Sequence, residues 1–422
     1  MGDKMSDNSI IIEDEWRLYM YLLRCAIWDE KPEEDIMNKY KDISANSLIE
    51  KAKDRAQRLL LQKYIQIFAD YKHEELEDSY NGELFAIIKK YEFYKNIRIV
   101  LEAAKDRGIT LVVFKGCVLA DLYPEYVRRY SCDTDFFVSR EQNAEAVSLI
   151  ESLGYEINEH SNAEVTVFYN QEKEHTIELH TCLWEDYEGR QLDILESFNL
   201  TDPDSFINIT ACGIDVTTLG YENHLIYQIF HIIKHFSLEG IGLKYLADIT
   251  LYVSKYGEKI DMEHFWKCMD ELSYTKFAYS LFVLCVEFLN MDATILKFRN
   301  ISYGNEMIAF FRDFLCGGEM YADKTASWQI MGMMTPYFTG QRETGDSSFR
   351  RKLELIFPKA SDLPDELSYA KKVKILLPIA WIHKMINYLI KYHRNKSTWY
   401  TAGEKLDVAE HRLKLMKDMG LI

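Results

Sequence analysis

The stretch Ile109-Thr110-Leu111-Val112-Val113-Phe114-Lys115-Gly116-Cys117, followed by Arg129-Tyr130-Ser131-Cys132-Asp133-Thr134-Asp135-Phe136-Phe137-Val138, decides how this chain folds. Upstream of it the apolar residues keep a helical period. Trp16, Tyr19, Leu22 and Leu23 set that spacing, as do Leu59, Leu60, Tyr64 and Phe68. A further helix is expected from about Gly82 to Asp106, carrying Leu84, Ile87, Ile88, Tyr91, Tyr94, Ile97 and Leu101 and stopping at Gly108. At Ile109 the period changes. Ile109–Phe114 has the length and composition of a strand, Lys115-Gly116 a turn, and Val118–Tyr123 a short helix halted by Pro124.

Downstream, Asp135–Val138 predicts a second strand, and Asn143–Leu153 an amphipathic helix closed by Gly154. Tyr155–Ile157, Val165–Tyr169 and His175–His180 are short strand candidates, the last two spaced like a hairpin across Asn170–Glu174, with Ile214–Thr218 as one more. From Glu222 the helical pattern returns. The expected architecture is α+β: a helical N-terminal region over 1–81, a small mixed-sheet core over 82–220, and a helical C-terminal domain over 221–422. Asp202-Pro203-Asp204, Gly340–Ser347 and Pro358–Pro364 are the expected irregular connections.

Composition narrows the function. Fifty Lys and Arg against 67 Asp and Glu leave a formal charge of −17 over 422 residues. Grip on nucleic acid comes from cations displacing phosphate counterions, so bulk nucleic-acid binding is not expected. Hydrophobic residues at 48% and charged ones at 28% exclude a disordered chain. The longest apolar runs, Leu281–Cys285 and Ile375–Ile382, fall well short of the roughly 20 residues of a membrane span. Eight Cys without any C-x-x-C argue for reduced thiols and a cytoplasmic setting, and the first residues carry no apolar leader.

The chemistry is concentrated in three places: Lys115-Gly116-Cys117, Arg129 through Asp135, and Ile177-Glu178-Leu179-His180. Carboxylates at i and i+2 of a strand share one face. Asp133 and Asp135 are therefore placed to hold one or two Mg²⁺ ions, with Mn²⁺ also admitted, and Glu178 of a neighbouring strand completes the set. Two-ion phosphoryl transfer uses such a cluster to lower the pKa of an attacking hydroxyl and to neutralise a triphosphate. Gly116 lets a backbone approach phosphate, and Lys115 or Arg129 adds charge to the same groups. A lone D-x-D is a weak signal: Asp202-Pro203-Asp204 repeats the spacing in what reads as a loop.

Taken in order, these residues resemble the DNA-polymerase-β-like nucleotidyltransferase superfamily, and most closely a bacterial family of uncharacterised nucleotidyltransferases. The resemblance rests on Lys115-Gly116, Arg129, Asp133 and Asp135, Gly154-Tyr155 and Glu178-x-His180, and continues through His231, His235, Lys244 and Asp248 to Phe357-Pro358 and Leu377-Pro378, covering roughly residues 85 to 390. Abortive-infection toxin nucleotidyltransferases are a more distant likeness. The resemblance implies transfer of a nucleoside monophosphate from an NTP, ATP foremost, to a hydroxyl-bearing small-molecule or protein acceptor, with release of pyrophosphate. Asp133, Asp135 and Glu178 would be catalytic and metal-binding; Lys115, Gly116, Cys117, Arg129 and Lys244 would bind nucleotide. One departure stands out: where many members have Gly-Ser, this chain has Gly116-Cys117, and a thiol is a weak donor.

Each further residue has a plain alternative. His224, His231 and His235 share a helical face, with His231 and His235 either facing the cleft or buried in the core. Lys244 and Asp248 are spaced as a helix ion pair or as a phosphate ligand and its partner. His180 is either a neighbour of the metal or an ordinary strand residue. Two other functions remain open: a catalytically silent nucleotide-binding or interaction module, and a toxin-like enzyme acting on tRNA or protein.

Overall fold

The computed structural model describes residues 13–54, 57–77, 81–158, 161–184, 189–238, 241–297, 306–316, 376–383 and 411–422. Four helices lead the chain: α1 (Asp14–Trp28), α2 (Glu34–Lys39), α3 (Ala45–Asp54) and α4 (Arg58–Tyr71). The long α5 (Asn81–Asp106) then delivers it to β1 (Val112–Val113), α6 (Cys117–Ala120), β2 (Asp133–Phe137) and α7 (Asn143–Ser152). Next come β3 (Glu156–Ile157), β4 (Val165–Asn170), β5 (His175–His180), α8 (Gly189–Ser197), β6 (Ile207–Ala211) and β7 (Ile214–Thr218). Helices α9 (Tyr221–Leu238), α10 (Lys244–Tyr256), α11 (Met262–Glu271), α12 (Thr275–Leu289) and α13 (Glu306–Cys316) follow. The fold is α+β, a mixed sheet with helical flanks. Among the described residues no helix is long and apolar enough to cross a membrane.

The strands form one sheet in the order β3-β4-β5-β2-β1-β7-β6. β2 pairs antiparallel with β1 and parallel with β5, and β1 pairs parallel with β7. The ladder of β1 is only two residues long, although burial runs on through Ile109, Leu111 and Phe114 as the apolar stretch predicts. The helix expected at Val118–Tyr123 is shorter and starts one residue earlier, at Cys117. Sequence patterning misses β6. Its residues alternate Ile207-Asn208-Ile209-Thr210, and it joins β7 through Cys212-Gly213, both with positive φ (53° and 71°). That is the backbone of a two-residue hairpin turn, which usually announces itself as Asn-Gly or Asp-Gly. Asp202-Pro203-Asp204 is a loop as expected: Asp202 caps the single turn Pro203–Ser205 by accepting from the Asp204 amide.

Period-two alternation gives the sheet two unlike faces. Phe136, Ile177 and Leu179 point into a core with Ile97 of α5 and Leu149 and Ile150 of α7. Phe114 and Phe137 point the other way, into a core with Tyr227 and Phe230 of α9. That second core also contains Leu18 and Leu22 of α1, Phe68 of α4, and Phe277 and Leu289 of α12. Trp28 fixes this junction by donating from Nε1 to the Leu289 carbonyl at 2.8 Å. Helices before and after the sheet in sequence thus pack as one apolar body, and they do so on the face that carries Asp133 and Asp135.

The opposite face contains a buried imidazole. His175 lies between the Thr134 hydroxyl (2.9 Å) and the Tyr155 hydroxyl (2.7 Å), with the edge of Phe93 against its ring. Burial pushes its pKa down to about 4, with the nearby Lys173 and Lys90 charges assisting. His224, enclosed beside Tyr252, is likewise lowered to about 4 by burial. Both are neutral in the fold and titrate near 6.5 when exposed. Their contribution is complete above pH 6.5 and is lost as the pH falls toward 4, because the unfolded chain takes up the proton first. Urea unfolding at pH 5 should therefore show stability reduced by about 2 kcal/mol per histidine relative to pH 7. Equal stability at the two pH values would contradict buried neutral imidazoles.

Candidate active site

The register between β2 and β5 builds the site. Asp133 pairs with Thr176, Asp135 with Glu178 and Phe137 with His180, so each strand places its functional side chains on the same face. Asp135 and His180 are buried, at 3% and 4% exposed, whereas Asp133 and Glu178 are partly open. His180 Nε2 stands 3.5 Å from Asp135 Oδ1 and 3.5 Å from Glu178 Oε2. One ligand atom from each of Asp135, Glu178 and His180 can be chosen so that all lie within 4.8 Å of one another. Among the described residues this is the donor group compact enough for a metal ion. Asp133 lies one step out on the same strand face and acts on the cluster through its charge.

Two carboxylates and an imidazole suit a hard or borderline divalent ion that completes its shell with water, and the half-open Glu178 leaves room for that water. The donor chemistry therefore fits. His180 is nearer the centre than the D-x-D spacing alone indicates, because only the strand register shows that residue 180 returns to the face of Asp135.

Lys115 currently supplies the positive charge. Its Nζ is 2.7 Å from Asp135 Oδ1, the oxygen His180 also approaches. Burial alone would lower the Lys115 pKa, but Asp135, with Tyr227 and Asp133, more than reverses this and holds the ammonium well above its usual range. Burial would raise Asp135, yet Lys115 and His180 take it below the ordinary carboxylate range. Asp133 is shifted the other way: burial and the neighbouring Asp135 charge raise it, and Lys115 only partly offsets them. A site in which one carboxylate is held ionised and its neighbour is pushed up carries a deficit of positive charge.

The Lys115-Gly116 turn is reached through Gly116 at φ 53°, ψ −114°, a conformation that side-chain-bearing residues rarely adopt. Cys117, however, is fully buried in the core of α5 and α7, and burial raises its thiol to about 12. Its side chain cannot take the place of a phosphate-binding serine.

Arg129 also departs from expectation. It is 4% exposed, and its fork is spent on Asp248: Nε donates to Oδ1 and Nη2 to Oδ2, both at 2.8 Å. Nη1 donates to Ser131 Oγ at 2.7 Å, and Tyr123 donates to the same Asp248 at 2.8 Å. The bidentate fork satisfies Asp248 better than a lysine one helical turn away, and the i,i+4 pair of Lys244 with Asp248 does not form. Arg129 is a strut tying the approach to β2 onto α10.

On α9, His231 feels the charge of Lys115, whereas His224 is enclosed beside Tyr252. His231 stacks on Tyr227 at 5.7 Å and meets His235 at 4.4 Å, and Tyr245 of α10 closes the group. Burial, with the Lys115 charge, takes His231 well below its ordinary pKa, so it is a neutral ring. Lys244 lies at the start of α10 beside Tyr130 and Tyr245. Lys90 of α5 was invisible in the sequence: on an amphipathic helix it looks like any solvated lysine. Here it donates to the Ser131 carbonyl, within two residues of Asp133.

Residues 82–290 match a family described as "Uncharacterised nucleotidyltransferase". The match takes in α5, the sheet and α9 to α12; of the farther positions of likeness, Phe357-Pro358 lies outside the described residues and Leu377-Pro378 beyond the matched span. No curated protein and no solved structure matches the chain.

The strut has a measurable cost of removal. Arg129→Met leaves Asp248 charged and buried without its guanidinium, a loss of about 3–5 kcal/mol. Chemical denaturation should register it; a variant within about 1 kcal/mol of the parent would contradict a buried bidentate pair.

Proposed function

Because residues 82–290 belong to the uncharacterised nucleotidyltransferase family, we propose that the β2–β5 face transfers a nucleoside monophosphate from an NTP to an acceptor hydroxyl. The acceptor oxygen bonds to the α-phosphorus, the bond from that phosphorus to the bridging oxygen breaks, and pyrophosphate leaves with the electron pair. The observation that carries this reading is the convergence of Asp135, Glu178 and His180 on one half-open face.

Asp135, Glu178 and His180, with Asp133 beside them, would hold the divalent ion, Mg²⁺ foremost. When bound, that ion supplies Lewis-acid stabilisation of the transferring group and lowers the pKa of the acceptor hydroxyl. Glu178, more open than Asp135, would accept the hydroxyl proton. Lys115, whose ammonium is held 2.7 Å from Asp135, would meet the incoming phosphates, and Gly116 keeps the turn free of a side chain. His231, His235 and Tyr245 form a ring-lined wall beside it, suited to a planar base or an aromatic acceptor. The −17 charge ranks a small-molecule or protein acceptor above tRNA and favours a nucleotide arriving with its cation.

The Lys115–Asp135 ion pair also supports the second reading, a module that binds nucleotide without turning it over. Incubation of the full chain with labelled NTPs, Mg²⁺ and cell extract separates the two. Labelled acceptor and pyrophosphate are expected, with Asp135→Ala lowering turnover by roughly 10²–10³-fold or more while the fold persists. Full activity in that variant would sink the catalytic assignment, and binding without pyrophosphate would favour the silent module.

A further inference from the structure

Several other buried cations among the described residues pair with a carboxylate. Lys115 pairs with Asp135, Arg129 with Asp248, Arg412 with Asp313 and Lys72 with Glu74. Lys90 and Lys244 do not: among the described residues no carboxylate forms an ion pair with either. Both lie against the ring of Tyr130, Lys90 Nζ at 5.6 Å and Lys244 Nζ at 6.0 Å from its centroid. Each has a second ring beside it, Phe93 at 4.7 Å from Lys90 and Tyr245 at 5.2 Å from Lys244. Lys90 also donates to the Ser131 carbonyl, a dipole rather than a counter-charge. Tyr130 itself is 45% exposed, so the ring both ammonium groups lie against reaches the surface.

Holding two such ammonium groups together is unfavourable. Burial, then the charges of Arg129 and Lys244, lower the Lys90 pKa to about 8, and burial with Arg129 lowers Lys244 despite the pull of Asp248 and Asp133. In a chain with 67 acidic residues a local partner would be easy to supply, and among the described residues no carboxylate forms an ion pair with either lysine. The counter-charge this arrangement suits comes from outside and has several oxygens, since each ammonium offers up to three donors.

We propose that Lys90 of α5 and Lys244 of α10, both against the ring of Tyr130, form a binding subsite for a phosphoryl group. This rests on the nucleotidyl-transfer reading and extends it to a residue outside the D-x-D region. The phosphoryl group belongs either to the NTP tail or to a phosphorylated acceptor.

Calorimetric titration of the full chain without divalent ion reads the subsite apart from turnover, so its result is independent of whether transfer occurs. The probes are ATP, AMP and inorganic phosphate, against the parent, Lys90→Met, Lys244→Met and Lys90→Arg. Loss of at least about tenfold in ATP affinity in both methionine variants, with AMP unchanged, assigns the subsite to the NTP tail. The same loss for inorganic phosphate, with ATP unchanged, assigns it to a phosphorylated acceptor. Lys90→Arg, which keeps the charge, should stay within about threefold of the parent for the affected probe. Affinities for all three probes within about twofold of the parent in both methionine variants would overturn the proposal.

Discussion

The parallel pairing of β2 with β5 is the constraint on which everything else in the site depends. A slip of one residue would turn Glu178 and His180 to the opposite face, among Phe136 and Leu149, and leave Asp135 without either of them. Register is held from the structural side: Ile177 and Leu179 are fully buried against α5 and α7, and Thr134 bonds to His175 across the same strand pair. The apolar face fixes the alignment, and the acidic face inherits it.

The electrostatics follow from that geometry. Bringing Asp133, Asp135 and Glu178 together in a partly dry cleft is unfavourable without cations. The fold meets part of the deficit with Lys115 and places Lys244 and Lys90 nearby. Arg129 contributes by tying the residues before β2 to α10, so that the carboxylates on the sheet and Lys244 on the helix keep a fixed relation. The helices preceding α5 reinforce the same relation from outside: Arg128, next to the strut, donates to the Leu59 carbonyl of α4 and pairs with Glu83 of α5.

Much of this was legible in the sequence. Two carboxylates on one strand, a later Glu-x-His strand and a Lys-Gly turn are local patterns, and local patterns survive folding. Other features need contacts between distant residues. Arg129 meets an aspartate 119 positions away, so its expected role as a phosphate ligand could not be told from a structural one. Cys117 follows a glycine as a serine would, and only the packing of α5 shows it sealed in the core. β6 hid behind a Cys-Gly turn, and Lys90 behind the ordinary appearance of a helix surface. The shared core of α1 and α4 with α12 has no local signature, because each helix shows the same apolar stripe whichever partner covers it.

Whether the face of Asp135, Glu178 and His180 binds a divalent ion is tested most directly by Mn²⁺ binding followed by its electron paramagnetic resonance. The parent chain should bind one or two Mn²⁺ ions that Mg²⁺ displaces; Glu178→Gln should weaken binding by about tenfold or more, and Lys115→Met, which removes the competing ammonium, should strengthen it. Mn²⁺ binding that is absent from the parent, or unchanged by both substitutions, would contradict the account.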